Sequence, residues 1–183
     1  MQKRQVRITA GAIKALLLIA VLASSCAPRL RSNIAVYHSL PQRAEGAAYA
    51  FMTLTDQEAA RENSVYRKSI KEELLRHGYR EAPRDEASLV VAFSYSVDQD
   101  PGQGPRGREG EAGGDAYSRK LWIYVMDKRS ANGDAMHVLY EGNVISFGSA
   151  AQLGKAMPFM IRALLQEFPG SSGSLRTEYI AVD

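Results

Sequence analysis

Residues 89–97 have the sequence Leu-Val-Val-Ala-Phe-Ser-Tyr-Ser-Val. The segment begins as a continuous apolar run and ends in an alternation of apolar and hydroxyl-bearing side chains. A strand that is buried on both faces at its start and on one face at its end has this pattern. The segment therefore predicts a central β-strand, and the flanking sequence must supply the rest of the sheet.

Four further segments favour strands because they are rich in β-branched and aromatic residues. They are residues 33–40, 47–54, 120–126 and 136–147. The last two flank Asn132-Gly133, and Asn-Gly between such runs is a strong hairpin signal because both residues tolerate positive φ. These segments together predict a mainly antiparallel sheet.

Two segments predict amphipathic helices. Residues 55–78 lie between an N-cap residue, Thr55, and a C′ residue, Gly78, and they carry an apolar stripe of Val65, Tyr66, Ile70, Leu74 and Leu75. Residues 149–168 repeat apolar side chains every three or four positions. Pro158 lies inside this second pattern, so we expect either a kink or a true helix start near Met157.

The predicted fold is an α+β two-layer sandwich with a mainly antiparallel sheet and both helices on one face. Residues 33–169 form its single domain. Residues 98–115 contain six glycines and two prolines, which predicts a mobile surface loop that folding does not require. Residues 170–183 follow the last helix, and the pattern at 175–182 fits either an edge strand or a C-terminal tail, with the tail favoured.

The amino terminus has the features of an export signal. Basic residues precede a short apolar stretch within residues 1–25, and small residues lead directly into Cys26, the only cysteine of the chain. The stretch is too short to span a membrane as a helix. The segment before Cys26 resembles the lipobox of bacterial lipoproteins, which implies that the Cys26 thiol carries a lipid and that residues 26–32 form a tether. The alternative is ordinary cleavage after Ser25, which leaves a soluble periplasmic protein with a free thiol.

The charge of the chain depends on this leader. Four of the 23 basic residues and none of the 20 acidic residues lie in it, so the remainder has 19 basic and 20 acidic side chains. The apparent basicity therefore gives no argument for a nucleic-acid partner. Ala27 follows the cysteine where an aspartate would retain a lipoprotein in the inner membrane, so resemblance to known sorting signals implies the outer membrane of a Gram-negative bacterium, on its periplasmic face.

Several short motifs resemble one known family. They are Ile70-x-x-x-Leu74 with His77-Gly78-Tyr79, Ala87–Val91, Leu121–Val125 with Asp127, Tyr140-Glu141-Gly142, and Ile161-x-x-Leu164-Leu165-x-x-Phe168-Pro169. Together they resemble the bacterial envelope lipoprotein family catalogued as domain of unknown function 4136. The resemblance covers nearly all of the chain after the leader. It implies an envelope location and no particular reaction.

The sequence offers little that indicates catalysis, a cofactor or a metal. Residues 102–107 match a G-x-G-x-x-G pattern, but no helical stripe follows to receive a pyrophosphate, so we expect no nucleotide site. His38, His77 and His137 lack metal-ligand spacing. The adjacent acids Glu72 and Glu73 are expected to be solvated rather than catalytic. We therefore expect no catalytic, cofactor-binding or metal-binding residues, and no enzyme activity.

Aromatic residues are concentrated on the predicted strands. They are Tyr95, Tyr117, Trp122, Tyr124, Tyr140 and Phe147. Most are expected to cover the sheet against the helices, and the alternative is an apolar surface on the opposite face that takes a ligand or partner. We expect a non-enzymatic binding or scaffolding role, with membrane contact through the lipid and another envelope protein as partner. A periplasmic carrier of a lipid or other apolar ligand is the alternative.

Overall fold

The computed structural model describes residues 29–41, 46–52, 60–99, 117–128, 137–148 and 155–181. These residues form seven strands and two helices, which confirms the predicted α+β class. The elements are β1 (Arg29–His38), β2 (Ala48–Phe51), α1 (Ala60–Arg76), β3 (Arg80–Glu81), β4 (Leu89–Gln99), β5 (Tyr117–Asp127), β6 (Val138–Gly148), α2 (Met157–Leu165) and β7 (Ser174–Ala181).

One sheet contains all seven strands, in the order β3-β2-β4-β5-β6-β1-β7. The long strands β4, β5, β6, β1 and β7 pair antiparallel, whereas β2 pairs parallel with both β3 and β4. A parallel neighbour requires a crossover, and α1 supplies the one between β2 and β3. The sheet is therefore mainly antiparallel, as the sequence predicted.

Both helices pack on one face of the sheet. A single core combines inward residues of each helix, such as Ile70 and Ile161, with alternate residues of the long strands, such as Ile34, Leu121 and Val144. These five side chains are fully buried, and each such burial contributes about 1.5–3 kcal/mol relative to exposure. The two-layer sandwich predicted from sequence is confirmed.

The first helix ends as its sequence predicts. Gly78 has φ +83°, a conformation that glycine adopts without penalty. The amide of Gly78 donates to the carbonyl of Leu75 and the amide of Tyr79 donates to that of Leu74, the pattern of a Schellman cap. The predicted stripe is only partly right, because Val65 and Leu75 are exposed.

The second helix begins at Met157, which confirms the second of the two outcomes expected for Pro158. Proline is tolerated there because the first-turn amides have no intrahelical acceptor. The first backbone bond within the helix runs from the amide of Met160 to the carbonyl of Ala156. Residues 149–154 lie outside the described residues.

The predicted domain boundaries leave out residues at both ends that belong to the sheet. β1 begins at Arg29 rather than at residue 33, so the predicted tether 26–32 is partly strand. The favoured C-terminal tail within 170–183 is also wrong, since Ser174–Ala181 form β7 and pair with β1 along its whole length. The outer edge of β1 stabilises β7, and the paired residues are 138 to 152 positions apart in sequence, so a local pattern does not reveal the pairing.

The boundary of the glycine-rich loop also moves. β4 extends to Gln99, and Asp98 pairs with Ser118 of β5, so the segment that remains outside the described residues is 100–116. The leader, Cys26 and the Asn132-Gly133 turn lie outside the described residues as well. Neither described helix is long and apolar enough to cross a membrane.

Candidate functional site

The sheet has a second face, opposite the helices, which we call the open face. It is formed by the residues that alternate with the core positions of the long strands. Its aromatic and large aliphatic members on β5, β6, β1 and β7 are Trp122, Tyr124, Met126, Val138, Ile145, Phe147, Tyr37, Leu175 and Tyr179.

The open face is covered at one side and exposed at the other. Near β4 a small second cluster buries Val90 and Met126. Near β7 the side chains of Tyr37, Leu175 and Tyr179 are 56%, 78% and 68% exposed. Scattered single apolar residues are ordinary on a surface, but contiguous exposed ones mark interaction sites. The exposed end near β7 is therefore the candidate functional region.

Strand register places these exposed residues on the two outermost strands of the open face. Arg31 pairs with Phe147 on one side and with Tyr179 on the other. Ala35 pairs with Leu175, and Tyr37 lies two residues further along the same face of β1. Directly opposed side chains in a sheet lie about 4.5–5.5 Å apart at Cβ. Tyr37 and Leu175 are thus diagonal neighbours at the sheet edge. Tyr179 lies four residues further along β7, beside Arg31.

The strand that carries these residues is an edge strand. β7 pairs with β1 on one side, and it is the last strand in the sheet among the described residues. Its outward N–H and C=O groups are a template for one more strand. β7 has eight residues, while the opposite edge strand β3 has two. β7 thus offers backbone hydrogen bonds beside the exposed Leu175 and Tyr179.

The polar residues of the open face bond to one another. Lys120 forms an ion pair with Asp98 at 2.9 Å, and the Thr177 hydroxyl donates to the Asn33 side chain at 3.1 Å. Tyr124 lies across from Glu141, and burial together with that carboxylate raises the pKa of the Tyr124 hydroxyl above its usual value. The phenol is therefore neutral at physiological pH, which suits an apolar contact surface.

The predicted aromatic set divides between the two faces. Tyr95, Tyr117 and Tyr140 pack with the helix-facing core, as expected for most of the set. Trp122 and Phe147 instead lie on the open face with Tyr124, so the expectation that most aromatics cover the sheet against the helices is wrong. Sequence alone does not assign faces here because both faces of β5 are apolar.

The structure places the three histidines in different roles. His77 donates from Nε2 to the carbonyl of Leu165 at 2.7 Å and so joins the ends of the two helices. His38 donates from Nε2 to the carbonyl of Gly170 at 3.1 Å, and His137 is exposed just before β6. Among the described residues no three His, Cys, Asp or Glu side chains converge as metal ligands would.

Glu73 is buried, which contradicts the prediction from sequence. It was expected to be solvated, like Glu72, but it is buried between the helices. Arg76 of the same helix donates to both of its oxygens at 2.9 Å, and Arg162 of α2 lies 3.7 Å away. Glu72 points outward, as expected for adjacent helical residues. The buried carboxylate joins the two helices electrostatically.

Sequence reasoning missed one buried cation. Arg119 lies on the helix-facing side of β5, in phase with Leu121 and Ile123, and is only 9% exposed. Its cross-strand neighbour Ser146 is also buried. The sequence does contain a signal for this burial. Arg119 lies two residues before Leu121, at the start of the alternation that places Leu121 and Ile123 in the core.

Comparison with known proteins gives fold-level likeness only. No protein-family model matches the chain. No curated protein matches it either. The structure is similar to a PDZ domain protein from Parabacteroides distasonis, with a TM-score of 0.59 and 14% identity, over 96% of this chain and 44% of that one. The chain therefore spans less than half the length of that protein, and at this identity the likeness supports the fold alone.

Two weaker likenesses were also found. A PelC dodecamer subunit from Paraburkholderia phytofirmans aligns over 76% of this chain and 99% of its own, with a TM-score of 0.45 and 15% identity. A DUF4136 family protein from Bacteroides thetaiotaomicron aligns over 74% of this chain and 93% of its own, with a TM-score of 0.45 and 12% identity. Both TM-scores lie below 0.5, so the family predicted from the motifs stays a prediction.

Proposed function

We propose that this chain is a lipoprotein of the outer membrane that faces the periplasm and binds another envelope protein without catalysing a reaction. The binding surface is the exposed end of the open face together with the free edge of β7. The observation that carries this proposal is the coincidence of the two features on one strand. Leu175 and Tyr179 are exposed on β7 while the outward backbone groups of the same strand have no partner among the described residues.

A partner strand added to β7 would use both features at once. Backbone hydrogen bonds along the edge would give affinity, and alternate partner side chains would lie against Leu175 and Tyr179. Complete burial of a side chain of this size contributes about 1.5–3 kcal/mol, and part of that gain is offset by the cost of association. A protein partner therefore fits this edge better than a small molecule does, because a small molecule would leave most of the backbone groups unused.

One local observation favours surface binding over the carrier alternative. A carrier would hold an apolar ligand between the sheet and the helices. At Gly142 of β6 these layers touch, because a Cβ added there would lie 2.6 Å from Oη of Tyr140 and 2.9 Å from Cδ1 of Leu164. The middle of the interface between β6 and α2 has no room for a ligand at that point.

The proposed lipid would place this surface near the membrane. Cys26 precedes the first residue of β1, Arg29, by three residues, a distance of at most about 11 Å along an extended chain. Arg29 pairs with Ala181 at the end of β7. An acyl anchor on Cys26 would thus hold the β7 edge close to the bilayer, where a partner in the same membrane is within reach.

Photocrosslinking in intact cells tests the binding surface. A photoreactive amino acid at Tyr179 should capture a discrete protein partner, whereas the same residue at Leu75 of α1 should not. Leu75 is the matched control because it is similarly exposed, at 61%, but lies in the helix layer. Equal capture at both positions, or at neither, would contradict the proposed surface.

A separate experiment tests the anchor. Cys26→Ser should abolish incorporation of labelled fatty acid and release the protein from the membrane fraction. The soluble variant should still fold, since every described element follows Cys26. If the wild-type protein carries no fatty acid yet remains membrane-bound, the lipoprotein proposal is wrong. That result would not affect the proposed β7 surface, which the crosslinking experiment tests separately.

A further inference from the structure

Arg119 presents a buried guanidinium whose hydrogen-bonding capacity is not filled. Its Nε and Nη1 atoms are buried and have no hydrogen-bond partner. Arg176 lies on the same face of the sheet, but its guanidinium is hydrogen-bonded. It donates from Nε to Glu178 at 2.6 Å and from Nη2 to the carbonyl of Ala163 at 2.8 Å. Arg176 therefore has acceptors among the described residues, whereas Nε and Nη1 of Arg119 have none.

Such an arrangement is costly unless something outside the described residues completes it. A buried ion without a partner costs several kcal/mol even after local relaxation. A guanidinium carries donors arranged to match carboxylate and phosphate oxygens. Arg119 therefore points to an anion, and its surroundings must show whether other donors converge with it.

The helix α2 directs its amino terminus toward the same end of the sheet. Just after its carboxyl end, the Gly170 carbonyl accepts from the ring of His38, whose strand partner is Tyr140. Leu164 of the helix approaches Gly142, further along β6, so α2 runs antiparallel to β6. The helix advances about 12 Å from Leu164 to Ala156, and the strand advances about 13 Å from Gly142 to Ser146. The start of α2 is therefore directed toward Ser146, the cross-strand partner of Arg119.

The amino terminus of α2 lacks a capping side chain. Its N-cap residue is Ala156, which makes no side-chain cap hydrogen bond and has no side-chain oxygen with which to make one. Pro158 has no amide hydrogen, which leaves Met157 and Phe159 as first-turn donors. The positive end of a helix dipole favours an anion. Arg119 and this helix end therefore present positive electrostatic potential to the same region.

A buried hydroxyl pair adds a third donor. The Oγ atoms of Ser146 and Ser32 lie 2.7 Å apart, and both residues are fully buried. One hydroxyl donates to the other, so the accepting hydroxyl keeps its own hydrogen for a further bond. Ser146 is directly across from Arg119 and Ser32 is the next residue across the sheet, so the hydroxyl pair lies on the same face as Arg119.

We propose that Arg119, the amino terminus of α2 and the Ser32–Ser146 hydroxyl pair form a binding site for an oxyanion, a carboxylate or phosphate group. The site lies on the helix-facing side of the sheet and is separate from the open face. The anion is either free or the head group of an apolar molecule. This proposal does not depend on the function proposed above.

Calorimetric titration of the purified full chain tests the site with three probes: inorganic phosphate, acetate and octanoate, all at one ionic strength. We expect at least one probe to bind. Because a charge-assisted hydrogen bond contributes about 1.5–3 kcal/mol, Arg119→Met should weaken that binding at least tenfold. Preference for octanoate over acetate would assign an apolar-tailed carboxylate, and preference for phosphate over acetate a phosphoryl group.

Arg176→Met is the matched control, since it removes a paired arginine from the same face and should leave anion affinity unchanged. If Arg119→Met does not fold, the Nε–Hε resonance of Arg119 in the wild-type protein provides the measurement, with Arg119→Lys used to assign it. That resonance should shift on titration while that of Arg176 does not. No binding of any probe, or binding by Arg119→Met within threefold of wild type, would overturn the proposal.

Discussion

Gly142→Ala probes how closely the helix layer approaches the sheet. The added Cβ would lie 2.6 Å and 2.8 Å from Oη and Cε1 of Tyr140, and 2.9 Å from Cδ1 of Leu164. All three distances are shorter than a real Cβ contact, so side chains or backbone must move. Overpacking of this kind costs about 1–3 kcal/mol, and the gain from replacing glycine in a strand offsets about 0.5–1 kcal/mol. We expect a net loss of about 1–2 kcal/mol.

The identity of the clashing atom gives a sharper test through a double-mutant cycle. Tyr140→Phe removes Oη, the atom nearest to the new Cβ, and that hydroxyl is buried without a hydrogen-bond partner. The single variant Tyr140→Phe should therefore be at least as stable as wild type, because an unsatisfied buried hydroxyl costs about 1–3 kcal/mol. In this background Gly142→Ala should cost about 1 kcal/mol less than in wild type.

Urea unfolding measures each corner of this cycle, and thermal midpoints give an independent check at about 2–4 °C per kcal/mol. Gly46→Ala is the control. Gly46 has φ +75° with nothing within 4 Å of its would-be Cβ, so its substitution is costly through backbone strain rather than through a clash. It should show no coupling to Tyr140→Phe. Equal cost of Gly142→Ala in both backgrounds would refute the packing argument.

Three further predictions concern the rest of the molecule. Burial raises the pKa of Tyr140 and of Tyr49, so both stay neutral in the folded protein at a pH where the unfolded chain ionises. The free energy of unfolding should therefore fall as pH rises above about 10, by up to about 1.4 kcal/mol per pH unit for each tyrosine. Urea midpoints measured from pH 9 to 11.5 should decline less steeply in Tyr140→Phe than in wild type. Glu73→Gln should lower the free energy of unfolding in urea by about 1–2 kcal/mol because it removes the carboxylate between two arginines, whereas Glu72→Gln should leave it unchanged. Replacing residues 100–115 with a short Gly/Ser linker should leave the thermal midpoint within about 2 °C of wild type, and a larger drop would mean that the segment packs on the domain.

Local periodicity predicts most of the secondary structure. The apolar run of β4, the hairpin strands and the helix start at Met157 each depend on residues within one element, and the structure has them close to where the pattern places them. β7 was missed because its stability comes from the distant strand β1, and a short alternating segment after Gly170 looks the same whether or not such an edge is present.

The candidate sites were less predictable for a physical reason. Assigning Trp122 and Tyr124 to the open face requires knowing which side of β5 the helices cover, and β5 alternates apolar residues on both sides. Arg119 is buried in the folded protein, and the burial of a strand residue depends on the elements that pack around its strand. From sequence, Arg119 is a charged residue near the start of a strand. Its burial and the lack of partners for its Nε and Nη1 can be seen only in the folded structure.

The position of β1 has a consequence for how this chain matures. β1 is the first described strand in sequence, yet both of its neighbours, β6 and β7, are among the last three elements. The hydroxyl contact between Ser32 and Ser146 spans 114 residues, and that between the His38 ring and the Gly170 carbonyl spans 132. When a chain is synthesised or exported from its amino terminus, β1 emerges first and must wait with two bare edges until nearly the whole chain has followed. Truncation by the last ten residues would remove β7, so β1 would still pair with β6 but its other edge would stay bare permanently.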